Sequence, residues 1–225
     1  MIIQYSGLIP YQKGLELQQQ SYDLVAANGR PVLLGCEHYP VITLGRRADA
    51  QGEFVATKEE LKSQGIEVFE TDRGGQATLH SPGQLVIYPI VPIRDYDISV
   101  RDFVRALEMT TVKWLELHHV KAFVTEQAGV YTNAGKIAFV GIRVQAGITR
   151  HGISINLHNN LELFRAIRSC GVSGRALDSL EKHEVYIDAK DAFEQWTNVF
   201  ISELVGLRER SIEHSMQRKN QGDSH

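Results

Sequence analysis

The run Thr71-Asp72-Arg73-Gly74-Gly75-Gln76-Ala77-Thr78-Leu79-His80-Ser81-Pro82-Gly83-Gln84 leads directly into Leu85-Val86-Ile87-Tyr88. A glycine pair lets the backbone turn sharply and approach a ligand closely, and here an arginine precedes it while a hydroxyl and an imidazole follow. One cation, one group that titrates near neutrality and one amide in a turn-rich segment make the composition of a pocket wall. The plainer reading is a polar connection in which Gly74-Gly75 and Pro82-Gly83 form two turns before a buried strand. On both readings the segment lies between two strands, 66–70 before it and 85–91 after it, the second ended by Pro89 and Pro92.

Working back towards the N-terminus, 41–44 and 32–36 read as strands joined by the turn Glu37-His38-Tyr39-Pro40. Before them Tyr11, Leu15, Tyr22, Val25 and Ala26 recur at helical spacing up to the stop Asn28-Gly29, after a short strand at 2–5. Residues 51–64 suggest a loop and a short helix. Cys36 ends the apolar run Val32-Leu33-Leu34-Gly35 and reads as a small core residue. His38 is placed equally well in a pocket or in a turn. Gly45-Arg46-Arg47 could present cations to an anion or form a solvated surface.

Towards the C-terminus, Ser99 and Asp102 form a capping pair. They open a long amphipathic helix whose stripe is Val100, Phe103, Val104, Leu107, Thr111, Trp114, Leu115 and His118. His118 and His119 sit at its polar end, where a helix C-terminus favours positive charge. Short strands at 129–131, 136–144 and 148–157, with turn signals at Asn133-Ala134-Gly135 and Ala146-Gly147, suggest an antiparallel meander. Strict alternation along the second of these puts Lys136 on one face with Ala138, Val140, Ile142 and Val144. An ammonium there either snorkels out at the strand end or is partly desolvated, and only desolvation suits a proton acceptor. Cys170 lies in Arg168-Ser169-Cys170-Gly171-Val172-Ser173-Gly174, where two glycines imply a loop and a more accessible thiol than Cys36; an inert side chain is the alternative. Phe193, Trp196, Phe200, Leu204 and Leu207 form the buried face of a last helix, and 208–225 is a polar tail expected to fray.

The chain has 225 residues, 43% of them hydrophobic and 23% charged, with a formal net charge of -3. This is the balance of a soluble globular chain with room for one domain, over residues 1–207. The charge and the lack of a basic run give no reason to expect nucleic-acid binding. No signal peptide or bilayer-spanning run is apparent, and two distant cysteines point to a reducing compartment, so a cytoplasmic monomer is expected. Interspersed helices and strands without a repeat read as an α/β fold with a mixed sheet and flanking helices.

The order Arg-Gly-Gly, two residues, Thr, one residue, His, two residues, Gly-Gln resembles the signature of the lipoyl(octanoyl) transferases. Gly135-Lys136-Ile137-Ala138, Gly141-Ile142-Arg143, His151-Gly152, Asn156 and Cys170-Gly171-Val172 are similar in order and spacing to the later blocks of that family. Thr43-Leu44-Gly45-Arg46 is similar to an element near its substrate site. The departures are Ser169, where the family usually has proline, and the segment Gly174-Arg175-Ala176.

The resemblance implies the mixed α/β fold of the biotin and lipoate protein ligases and an octanoyl-[acyl-carrier-protein]:protein N-octanoyltransferase activity. The donor would be octanoyl-acyl carrier protein. The acceptors would be lysines of the lipoyl domains of 2-oxoacid dehydrogenase complexes and of the glycine cleavage H protein. Cys170 and Lys136 match the catalytic dyad. Arg73, Gly74, Gly75, Gln76, Ala77, Thr78, His80, Gly83, Gly141, Ile142, His151 and Gly152 match the substrate pocket. No metal, nucleotide or other cofactor is called for. The rival readings are an ATP-dependent lipoate-protein ligase and a noncatalytic carrier-protein binder.

Overall fold

The computed structural model describes residues 1–49, 54–167 and 176–222, with side chains up to residue 209 apart from that of Lys58. Cys170 therefore lies outside the described residues. The strands are β1 (Ile2–Ile9), β2 (Val32–His38), β3 (Val41–Leu44), β4 (Glu67–Glu70), β5 (Ala77–His80), β6 (Gln84–Ile90), β7 (Phe123–Val124), β8 (Val130–Thr132), β9 (Gly135–Gln145) and β10 (Ile148–Asn156). The α-helices are α1 (Tyr11–Asn28), α2 (Lys58–Ser63), α3 (Val100–Leu117) and α4 (Ala189–Gly222). They build a seven-stranded sheet, β1-β2-β6-β10-β9-β8-β7, and a three-stranded sheet, β4-β3-β5. The β1–β2 and β3–β4 pairs are parallel and the other pairs antiparallel, so both sheets are mixed.

Alternation along β6 sets the layers, because successive side chains of a strand leave opposite faces. Leu85 and Ile87 join a core with Phe103, Leu107, Trp114 and Leu115 of α3 and Phe193, Trp196 and Phe200 of α4. Val86, Tyr88 and Ile90 join Val25 of α1 on the other face, with Val32, Leu34 and Cys36 of β2. The small sheet has its own core, in which Ile42, Leu44, Ala77 and Leu79 meet Phe139 of β9 and Phe164.

Most of the helix boundaries are local chemistry. Gly29 closes α1 in the left-handed conformation that glycine adopts without steric cost, its N–H donating to the Val25 carbonyl. Ser99 caps α3 by accepting from the Asp102 N–H, as its spacing predicts. Val100, in the first turn, is exposed, while Phe103, Leu107, Thr111, Trp114 and Leu115 are buried. His118 packs edge-on against Trp114 and hydrogen-bonds to Gln195.

Four features depart from the sequence reading. Residues 77–80 of the opening stretch are themselves a strand, β5, paired with β3. Pro89 does not end β6: it pairs with Leu33 of β2, while the ladder to β10 stops at Ile153↔Ile87. The N–H that proline lacks falls on the β10 side, where the Pro89 carbonyl accepts the Thr149 hydroxyl at 2.6 Å. The backbone of α4 stays helical to Gly222, well past Leu207, the last residue the sequence reading places on its buried face.

The fourth departure is a β-bulge. Val130 faces Ala138, but the next residue, Tyr131, faces Lys136, so Ile137 is an extra residue in β9. Ile137 and Ala138 both turn to the α3–α4 core, where Val140, Ile142 and Val144 also pack. Lys136 is thereby thrown onto the opposite face, over the ring of Phe139 at 4.9 Å. Bulges re-aim side chains in this way and are frequent beside functional sites.

Candidate active site

A cavity of about 500 Å³ opens between the small sheet and the α1 face of the large one. This is the size of a small-molecule site. Of the residues the sequence singles out, Arg73, Gly75, Gln76, Ala77, Thr78, His80, Lys136, Gly141, His151 and Gly152 line it. Gly74, Gly83 and Ile142 are not on its wall. Gly74 instead donates its N–H to the Ile142 carbonyl at 3.0 Å, fastening the glycine loop to β9. Gly83 donates to the Glu37 carboxylate at 2.7 Å, and a Cβ there would lie 2.8 Å from the Asn159 nitrogen.

Close backbone approach explains the glycines on the wall. A Cβ on Gly141 would meet the Gly74 carbonyl oxygen at 2.8 Å, so the loop rests directly on β9. Arg73 is buried and holds the loop to β3, donating from Nε to the Thr43 hydroxyl at 2.9 Å, from Nη2 to the Thr43 carbonyl and from Nη1 to the Gly74 carbonyl at 3.0 Å. Arg46 and Arg47 complete the turn, donating their N–H groups to the carbonyls of Arg73 and Gly75. Arg47 reaches the cavity wall.

His80 stacks parallel to Tyr11 at 6.2 Å and is buried. Gln84 donates from Nε2 to Asn156 Oδ1 at 2.8 Å, which leaves its Oε1 to accept from His80 Nδ1 at 2.6 Å. That fixes the tautomer: the proton is on Nδ1 and the lone pair on Nε2. Asn156 passes the chain on by donating to the Asp178 carbonyl at 2.9 Å. Thr78 Oγ1 is buried without a protein partner among the described residues, so a donor or acceptor on a bound molecule can meet it at the wall.

Three buried histidines are held neutral. Burial lowers His80 to about 3, with the neighbouring His38 adding to the effect. Burial lowers His38 to about 4, against its bond to the Ile9 carbonyl. His38 lies beneath the cavity, hydrogen-bonded to the Tyr88 hydroxyl at 2.7 Å. Burial also lowers His151, against the hydrogen bond from its Nε2 to Asp72 at 2.7 Å. Burial acts to raise Asp72, but the His151 bond and the charges of Arg143 and Arg150 outweigh it and hold this carboxyl below its usual range.

A histidine with a depressed folded-state pKa binds fewer protons folded than unfolded, so its stabilising effect is complete above about pH 6.5 and is lost as pH falls. Stability should therefore decline from pH 6.5 towards 4, by about 1.4 kcal/mol per pH unit for each histidine wholly inside that window. Urea midpoints measured between pH 7.5 and 5, above most carboxylate titrations, should hold level at first and fall steadily below about pH 6.5. A flat profile would show that these histidines charge freely in the native state.

Lys136 is buried on the cavity wall. Its Nζ donates to the Ala128 carbonyl at 2.8 Å and lies 5.3 Å from the Tyr131 ring centre. Its own N–H donates to the Ala176 carbonyl, and its carbonyl accepts from the Asp178 N–H. The segment from Ala176 to Asp178 is thus stitched to β9 at Lys136. Cys36 is at the other extreme: burial pushes its thiol far above the usual range. Tyr11, Tyr88, Phe139, Ser154 and the 126–128 loop also line the cavity. Tyr88, Phe139 and Ser154 sit on ordinary strands, Tyr11 opens α1 and 126–128 is a plain polar loop, so nothing local marked them.

The lipoyl protein ligase A/B catalytic domain model matches residues 10–201. An octanoyltransferase of Clostridium kluyveri is 33% identical over 221 residues, covering 96% of this chain and 94% of that protein. The fold is similar to that of a chain from a structural study of a bi-partite lipoate protein ligase and its E2 lipoyl domain from Thermoplasma acidophilum, with a TM-score of 0.71 at 14% identity over 95% of this chain and 90% of that one. It is also similar to biotin protein ligase from Aquifex aeolicus, with a TM-score of 0.56 at 12% identity over 95% and 73% of the two chains. Sequence and fold agree that the chain belongs to the lipoyl protein ligase A/B catalytic-domain family.

Proposed function

We propose that the protein is an octanoyltransferase of protein lipoylation that takes the acyl group from octanoyl-acyl carrier protein, holds it as a Cys170 thioester and passes it to a lysine of a lipoyl domain. The observation that carries this reading is the buried amino group of Lys136 on the wall of the cavity, with Ala176, six residues beyond Cys170, hydrogen-bonded to its backbone. Six residues reach at most about 20 Å, so the thiol has a short tether to the lysine. Val86, Phe139 and Ile153 give the cavity apolar surface for an alkyl tail, worth about 0.8 kcal/mol per buried methylene.

In the first step neutral Lys136 accepts the Cys170 proton, the thiolate attacks the donor's thioester carbonyl, the bond to the carrier sulfur breaks, and Lys136 gives the proton to the departing carrier thiolate. In the second, the acceptor lysine attacks the acyl-enzyme; an amide forms, the Cys170 thiolate leaves and Lys136 takes the amine proton. Thioester exchange is nearly balanced, so no nucleotide is consumed. The His80 Nε2 lone pair and the Thr78 hydroxyl are polar groups that can orient the acyl head without adding charge.

Intact-protein mass spectrometry after mixing with octanoyl-acyl carrier protein, without ATP, tests the reading. One octanoyl adduct should form, vanish in Cys170→Ala and persist in Cys36→Ala, because Cys36 is sealed in the core. An adduct mapping to Cys36, or a strict requirement for ATP, would defeat the proposal.

A further inference from the structure

We propose that Glu108, on α3, is a positioning residue for Lys136 and acts on it through a single peptide group. The Ala128 carbonyl that accepts from Lys136 Nζ and the Gly129 N–H are the two ends of one peptide plane. Glu108 Oε1 accepts from that N–H at 2.8 Å, and Lys136 Nζ donates to that carbonyl at 2.8 Å. Because the plane is rigid, holding its N–H fixes where its carbonyl points. A carboxylate at the donor end also polarises the peptide and strengthens its acceptor end.

Two further observations single out this peptide. Gly129 has φ +128°, a conformation that only glycine adopts readily, so its own backbone does little to restrain the plane from rotating. A Cβ on Gly129 would lie 2.5 Å from Lys136 Cε and 2.9 Å from Nζ, so the lysine stem rests across this α-carbon. Turning the peptide over would therefore take the Ala128 carbonyl away from the lysine and disturb the surface it lies on.

Glu108 is otherwise an expensive choice. It is 5% exposed and lies among the apolar residues of α3 that face the large sheet, where a charge needs strong partners. The described partners are Gly129 and, at 3.6 Å, an exposed Arg105. Nothing in the packing of α3 demands a carboxylate there, whereas aiming the Ala128 carbonyl requires an acceptor at this place.

The inference rests on the reading of Lys136 as the proton acceptor, and the test separates the two. Steady-state transfer from octanoyl-acyl carrier protein to a lipoyl domain is measured for Glu108→Ala, Glu108→Gln, Glu108→Asp, Lys136→Ala and the Glu108→Ala/Lys136→Ala double variant. Glu108→Ala should lower kcat by about 100-fold, the scale of a small misplacement of a catalytic group, with donor KM little changed. Glu108→Gln, which keeps an acceptor at the same reach, should recover most of that loss. Glu108→Asp, one methylene shorter, should recover less and remains informative if the alanine variant does not fold. In the Lys136→Ala background the alanine at Glu108 should cost nothing further. A kcat near wild type in Glu108→Ala or Glu108→Asp, or the same fold-loss with and without Lys136, would overturn the inference. Normal transfer by Lys136→Ala would overturn the reading beneath it instead.

Discussion

Lys136→Ala and Cys170→Ala should each reduce octanoyl transfer by at least about 1,000-fold, and the double variant should be little worse than either. On the proposed mechanism a thiol without its proton acceptor and an acceptor without its thiol disable the same step, so their effects should not add. Lys136→Arg should fail as well. A guanidinium keeps its proton at neutral pH, and its planar fork does not match a compact amino group lying across Gly129 between Tyr131 and Phe139. Transfer rates on all four variants, with circular dichroism to confirm folding, decide the matter. Near-normal transfer by Lys136→Arg would show that positive charge suffices there, and additive losses would show that the two residues serve different steps.

Gly152→Ala should unfold or severely destabilise the protein without touching any catalytic group. A Cβ at this position would sit 2.0 Å from the Ile87 carbonyl oxygen and 2.6 Å from Pro89 Cδ. Neither obstacle is the free end of a side chain. Moving the Ile87 carbonyl means pulling β6 away from β2 or β10, at the point where the β6–β10 ladder begins. The loss should reach or pass the upper end of the about 1–3 kcal/mol usual for overpacking. Urea denaturation of the variant provides the measure. A loss below about 0.5 kcal/mol, within the range of an ordinary surface change, would show that the strands separate there at little cost. Although Gly152 lines the cavity, its first duty on this argument is to let two strands meet.

Much of the fold was legible because its determinants are local. The helix over 11–28 is written in the spacing of its apolar residues and in a glycine that can take positive φ; the opening of α3 is written in Ser99 and Asp102. The strand at 41–44 and the antiparallel meander follow from alternation and turn residues. The extra strand β5 was hidden because its Ala77-Thr78-Leu79-His80 reads as loop until β3 supplies its hydrogen bonds. Pro89 misled for a related reason: a proline interrupts a strand only on the side where its N–H is needed, and which side that is depends on the neighbours.

The residue types of the site were legible too. The sequence by itself marked Arg73, His80, Lys136 and Gly141 as belonging together through a family pattern, and set Cys36 apart in an apolar strand. It did not say what Arg73 and His80 do. Thr43, 30 residues away from Arg73, turns the arginine into a clasp for the glycine loop, and Gln84 with Asn156 sets the tautomer of His80. The face of Lys136 was decided by tertiary structure alone. Alternation assigns it to the α3–α4 core, but a one-residue mismatch with β8 inserts Ile137 and turns the ammonium round to the cavity. Period-two alternation is carried by each strand, whereas register is a property of a pair, and no single strand's sequence states where its partner will force it to bulge.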